Sequence, residues 1–123
     1  MNTAARPDPA IAKVLADIAE QGGGTYESGT YLPFTPTDGF AVGIGGIRLP
    51  EATVTAAELT RWLRAVVTEY EASFVGTWRD GGLVYIDAVR YIRDLPTALD
   101  VARVFRQKAI FDFSTKSSIA LEA

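Results

Sequence analysis

The stretch Ser73–Phe113, SFVGTWRDGGLVYIDAVRYIRDLPTALDVARVFRQKAIFDF, decides the fold. Phe74 to Arg79 reads as a strand. Asp80-Gly81-Gly82 reads as a tight reversal, because glycine accepts the positive φ that hairpin turns demand. Leu83 to Ile92 is a longer strand, whose alternation sets Val84, Ile86 and Ala88 against Tyr85, Asp87, Val89 and Tyr91. Pro96 and Thr97 open a helix capped by Asp94 or Thr97, with Ala98, Val101, Ala102 and Phe105 as its inner face. Ala109 to Phe113 returns as a strand.

Upstream, Thr55-Ala-Ala-Glu58 is a capping box that opens a helix running to about Ala72. Leu59, Leu63, Val66 and Tyr70 form its buried stripe, with Trp62 at the margin. Before it lies a strand, Phe40 to Ile47. Phe40, Val42 and Ile44 share one face, while Ala41, Gly43 and Gly45 leave the other bare enough for a helix, a backbone or a ligand to approach.

The chain's beginning is less regular. Residues 1–6 read as a mobile tail and residues 7–123 as one domain. Asp8-Pro9 starts a helix with Ile11, Val14, Leu15 and Ile18 on one face and Lys13, Asp17 and Glu20 off it. Gly22-Gly23-Gly24 ends it. No Gly-Lys-Ser or Gly-Lys-Thr follows these glycines, so they are a helix stop and not a phosphate loop. Gly43-Ile-Gly-Gly46 opens no helix directly and is not a dinucleotide fingerprint. Thr25–Leu32 carries strand and turn chemistry and fits an added edge strand. Ile119–Leu121 fits a short terminal strand after a polar turn.

From Phe40 the order β-α-β-β-α-β predicts an α+β fold. The expected arrangement is a ferredoxin-like (split βαβ) antiparallel sheet with helices on one face, plus an N-terminal helix. Phe40–Ile47 and Leu83–Ile92 would be its central strands. The alternative is an α+β meander in which Thr25–Leu32 forms a hairpin with Phe40–Ile47. If helices cover Val84, Ile86 and Ala88, then Tyr85, Asp87 and Tyr91 face away, joined by Trp78 or Thr77 according to register. The candidate binding face is therefore Trp78, Arg79, Tyr85, Asp87 and Tyr91, unless the N-terminal helix packs there and buries it.

Composition narrows the chemistry. The 123 residues contain no cysteine and no histidine, which removes disulfides, the usual zinc ligand sets, thiol nucleophiles and Ser-His-Asp triads. No metal and no cofactor is expected. Asp87, Asp112, Tyr85 and Arg79 are the candidates for catalysis, but no second carboxylate stands at a spacing that guarantees a pair. Asp87 also has a structural explanation, as the cross-strand partner of Arg79 or Arg90. No catalytic residue is assigned, and a non-enzymatic role is expected. The net charge of −3 and a pI near 4.9 point away from nucleic acid. Gly82-Leu-Val-Tyr-Ile-Asp-Ala-Val89 also fails to match the basic-aromatic strand of RNA-recognition domains. No apolar run approaches the roughly 18 residues of a membrane span, and MNTAARPDPA lacks the apolar region of a secretory signal. A cytoplasmic protein without membrane association is expected.

Val75-Gly-Thr-Trp78, Val84-Tyr-Ile-Asp87, Ala98-Leu and Gln107-Lys-Ala-Ile-Phe-Asp112 resemble an uncharacterised small domain of actinobacterial phages and mobile elements. Gly24-Thr-Tyr26 and Gly39-Phe-Ala-Val42 extend the likeness over roughly Gly22 to Leu121. After Asp112 a Ser/Thr/Lys turn replaces the acidic, glycine-rich turn of that pattern. The resemblance brings no activity and no functional residue with it. It implies a phage or mobile-element accessory factor that engages a host protein in a host-modulating or anti-defence role, within the host cytoplasm. The alternatives are a small-ligand or enzymatic dimeric α+β domain, with a pocket between sheet and helices holding Asp87 or Tyr85, and a structural virion component. Homo-oligomerisation is compatible with all three.

Overall fold

A computed structural model describes residues 8–121; the expected tail at residues 1–6 lies outside them. Three helices and six strands follow one another as α1 (Pro9–Gln21), β1 (Gly23–Glu27), β2 (Phe40–Pro50), α2 (Ala56–Tyr70), β3 (Phe74–Asp80), β4 (Leu83–Ile92), α3 (Leu95–Val104), β5 (Ala109–Asp112) and β6 (Ser117–Ala120). The fold is α+β. All strands join one curled antiparallel sheet of order β1-β3-β4-β2-β5-β6. No helix among the described residues is long and apolar enough to cross a membrane.

Local chemistry sets the element ends as expected. The Asp8 carboxylate accepts from the Ala10 amide at 2.8 Å and Thr55 Oγ1 from the Glu58 amide at 3.2 Å. Asp94 caps α3, accepting the Thr97 amide at 2.9 Å. The capping box of α2 is only half formed, because Glu58 instead accepts the Trp62 indole N–H at 3.0 Å. Gly81 and Gly82 both adopt positive φ (57° and 80°), which closes the β3–β4 hairpin.

β4 pairs along its whole length with β2 on one side, and from Leu83 to Val89 with β3 on the other. Its Val84, Ile86 and Ala88 are fully buried beneath the helices. α2 supplies Leu59, Leu63 and Val66 to this core. α1 packs on the same face, placing Ile11, Val14 and Ile18 beside α2 and against β1 and β3. It therefore does not cover the opposite face. Asp17, outside the apolar stripe in the sequence, is buried there and accepts the Tyr26 hydroxyl at 2.7 Å and the Lys13 ammonium. α3 completes the layer, packing Ala98 and Ala102 on Val42 and Ile110. Phe105 does not join that inner face: it ends α3 as a C-cap residue, 37% exposed.

The expected alternation of Phe40–Ile47 fails midway, for a definite reason. A β-bulge lies between Gly43 and Gly45. Gly43 pairs with Val89 and Gly45 with Ala88, so Ile44 is the extra residue. Phe40 and Val42 face the helices before the bulge; Gly45, Ile47 and Leu49 face them after it. Gly45 takes φ 141°, and a Cβ there would stand 2.6 Å from the Tyr70 hydroxyl on α2. The Thr25–Leu32 segment supplies edge strand β1, paired with β3 and not with β2.

Gly45→Ala is expected to destabilise the protein by about 1–3 kcal/mol, through a disfavoured backbone region together with crowding of Tyr70. Chemical denaturation checks this; an unchanged midpoint would mean that the bulge is not held in this form.

Candidate functional site

The face of the sheet away from the helices is divided in two. β1 and β2 are consecutive in the chain, yet β3 and β4 separate them in the sheet, so their connection must pass across this face. It first follows the outer edge of β1, where the Glu27 amide donates to Leu32 O and the Phe34 amide to Thr25 O, both at 2.9 Å. Phe34 then roofs one end of the face. Its ring stacks on Phe74 at 4.2 Å and meets Tyr91 and Phe113 edge-on at 5.1 and 5.7 Å. Ala41, Val89 and Phe111 complete this second, aromatic core.

Tyr91 thus belongs to the roof. Its hydroxyl donates to the Asp38 carbonyl oxygen at 2.8 Å and lies 3.2 Å from the Asp38 carboxylate, which tethers the connection. Burial, the Asp38 hydrogen bond and the Asp38 charge, in that order, raise its pKa.

The other half of the face has no such roof among the described residues. Trp78 and Tyr85 are cross-strand neighbours there, and Trp78 is 53% exposed. One pair further along, Asp87 lies between Gly76 on β3 and Gly46 on β2. A carboxylate flanked by glycines on both strands sits in a depression. No side chain can stand beside it on β2, because a Cβ at Gly46 would fall 1.9 Å from Ile86 O and 2.8 Å from Asp87 Oδ1. Gln107, from the α3–β5 connection, approaches the same place. A Cβ at Gly43 would lie 3.0 Å from Gln107 Oε1 and 3.8 Å from Asp87 Cβ. The Gln107 amide nitrogen donates to Phe105 O at 3.2 Å, so its oxygen is the end turned toward the sheet.

Of the five residues read from the sequence, the structure brings Trp78, Tyr85 and Asp87 together. It places Tyr91 in the aromatic roof and Arg79 elsewhere. Arg79 pairs with Val84, so it has the helix-side parity, and at the strand end its guanidinium lies 3.5 Å from Glu51. Arg90 is also on the helix side, 5.7 Å over the Phe105 ring. Neither arginine is the cross-strand partner expected for Asp87. Gln107, Gly46 and Gly76 were missed as site residues. The β3–β4 hairpin pairing aligns Gly76 with Asp87, but only a correct register for β2, bulge included, would have aligned Gly46, and nothing local announces where a connecting glutamine will fold back.

Asp87 makes no hydrogen bond or ion pair with the described residues, and burial pushes its carboxyl up to about 6. A metal reading has no support here, since no group of three carboxylates stands together among the described residues. Between sheet and helices, a small cavity of about 60 Å³ lies between Ile47 and the Trp62–Tyr70 part of α2, lined by neither Asp87 nor Tyr85. A cleft of about 680 Å³ does open between α1, α2 and the Gly29–Tyr31 turn, but neither Asp87 nor Tyr85 lines it. Asp112, the other carboxylate considered, accepts the Ser114 amide and hydroxyl at 2.9 and 2.7 Å and braces the β5–β6 turn.

Because folding raises the Asp87 pKa, the native state binds this proton more tightly than the unfolded chain. The group therefore weakens the fold at neutral pH, and that penalty fades as pH falls through about 6 toward 4. Asp94 and Asp112, held low chiefly by hydrogen bonds from Thr97 and Ser114, act oppositely and lose their contribution under stronger acid. Asp87→Asn is expected to stabilise the protein at pH 7 by about 1–3 kcal/mol. Its advantage over the wild type should shrink toward pH 4. Thermal unfolding across this range checks both; a destabilised Asn variant at pH 7 would mean that the carboxylate has a structural partner after all.

No protein family, no curated protein and no solved structure matches the chain.

Proposed function

We propose that this is a non-enzymatic binding protein that engages another protein through the Trp78–Tyr85–Asp87 half of its open sheet face. The observation that carries it is the unequal treatment of one surface. Five aromatic rings close one half, while the other leaves a tryptophan 53% exposed beside a tyrosine and a carboxylate without a partner among the described residues. Exposed aromatic residues with a polar end are what protein interfaces recruit, and they need no catalytic group. The Gly76, Trp78, Tyr85, Asp87 and Gln107 positions that carry the resemblance to small phage domains all meet here. In keeping with it we read the partner as a host protein and the role as host-modulating or anti-defence. We also read β2-α2-β3-β4-α3-β5 as a ferredoxin-like unit, with α1, β1 and β6 as additions. The antiparallel inner order β3-β4-β2-β5 supports this, and the curl of the sheet is its departure from a flat example.

Capture on the tagged protein in its native host is expected to yield a stoichiometric protein partner. Trp78→Ala should weaken that association by about thirtyfold or more, the scale of a tryptophan at the centre of an interface. It should leave thermal unfolding nearly unchanged, since the ring is half exposed. Arg79→Ala should keep the partner. Retention of the partner by Trp78→Ala would remove the site.

A further inference from the structure

We propose that the Asp87 depression seats an arginine side chain of the partner protein, an assignment that rests on the sheet-face role proposed above. The guanidinium would lie over Gly46 and Gly76, hydrogen-bonded to Asp87 and Gln107 Oε1 and bordered by Trp78 and Tyr85.

Four features select this occupant. First, the glycines that oppose Asp87 on both neighbouring strands place no side chain beside a carboxylate that no described residue pairs with. A partly buried carboxylate in that position calls for a cation. Second, two acceptors border this place, the Asp87 carboxylate beside Gly46 and the Gln107 amide oxygen beside Gly43. A guanidinium presents several fixed donors to such a pair, whereas an ammonium is a point charge with a tightly held hydration shell. Third, the next row across the strands is Trp78 and Tyr85, whose ring faces favour a planar cation more than a neutral group. Fourth, none of the chain's own cations near this strand pairs with Asp87. Arg79 pairs with Glu51, Arg90 lies over Phe105 behind the sheet, and Arg48, exposed opposite Tyr85, makes no ion pair with Asp87. A chain of net charge −3 also steers toward a basic surface.

The test uses Nα-acetyl-arginine amide as the probe, with the lysine and citrulline amides as comparators, titrated into ¹⁵N-labelled full-length protein and followed by amide and indole resonances. The arginine amide should cause saturable shifts at Gly46, Gly76 and the Trp78 indole. The lysine amide should bind more weakly, and citrulline, which keeps the shape and loses the charge, should leave those signals in place. Asp87→Asn should weaken the arginine response about tenfold or more, and Arg48→Gln should retain it. Equal responses to arginine and citrulline, an unaltered response in Asp87→Asn, or no saturable shift at these residues would each overturn the assignment. The two proposals fail separately. A captured partner that needs Trp78 but binds Asp87→Asn equally well removes the arginine seat alone. A partner that ignores Trp78→Ala removes the sheet-face role itself.

Discussion

Everything in this fold depends on the register of β4 between β2 and β3. Leu83 to Val89 are locked between two strands, and the period-two alternation makes the outcome all or none. In the observed register Val84, Ile86 and Ala88 lie under α2 with no exposure. A slip by one residue would bring Tyr85 and Asp87 into that core and send Ile86 to water. Burying an unpaired carboxylate is costly, and losing three aliphatic side chains from the core adds to the cost. The same register that builds the core therefore presents Tyr85 and Asp87 on the other side. Core and candidate site are two faces of one strand.

That strand was legible because alternation is a local property of the sequence. So were the helix starts, where Asp8, Thr55 and Asp94 cap as their chemistry requires. What escaped depends on partners distant in sequence. The apolar stripe of α1 states that the helix must be buried but not against which face; it joined α2, where Tyr26 could also satisfy Asp17. Arg79 is the exception: its parity follows from the local hairpin pairing opposite Val84, and only its contact with Glu51 is distant in sequence. In Phe40–Pro50 the glycine-rich run hid a bulge, and one inserted residue inverts every later side chain. Of the five residues read as one face, Trp78, Tyr85 and Asp87 do share the open half of the sheet, while Arg79 at a strand end turns to the helix side and Tyr91 lies under the roof.

The roof follows from topology. An edge strand placed beyond β3 obliges the following connection to cross two strands before β2 begins. A polar loop laid over a sheet would strand backbone groups away from water. Here the crossing is anchored by Phe34 among Phe74, Tyr91 and Phe113, and by the Tyr91 hydroxyl on Asp38. The connection spans only the end of the face where those rings stand. The glycines at positions 43, 46 and 76 make the remaining half shallow and backbone-lined, which is why the aromatic pair at Trp78 and Tyr85 stands proud of it.

Two aspartates of this molecule bear on its stability in opposite ways. Asp17 is the more buried, yet a tyrosine hydroxyl and a lysine ammonium satisfy it, and it makes sense as part of the α1–β1 junction. Asp87 is less buried but has no partner among the described residues, and its ionised form works against folding at neutral pH. Asparagine or threonine would fit a strand position between two glycines without that penalty. Asp87 thus opposes the fold that Asp17 supports, and it does so one cross-strand pair from Trp78, the half-exposed tryptophan of the sheet.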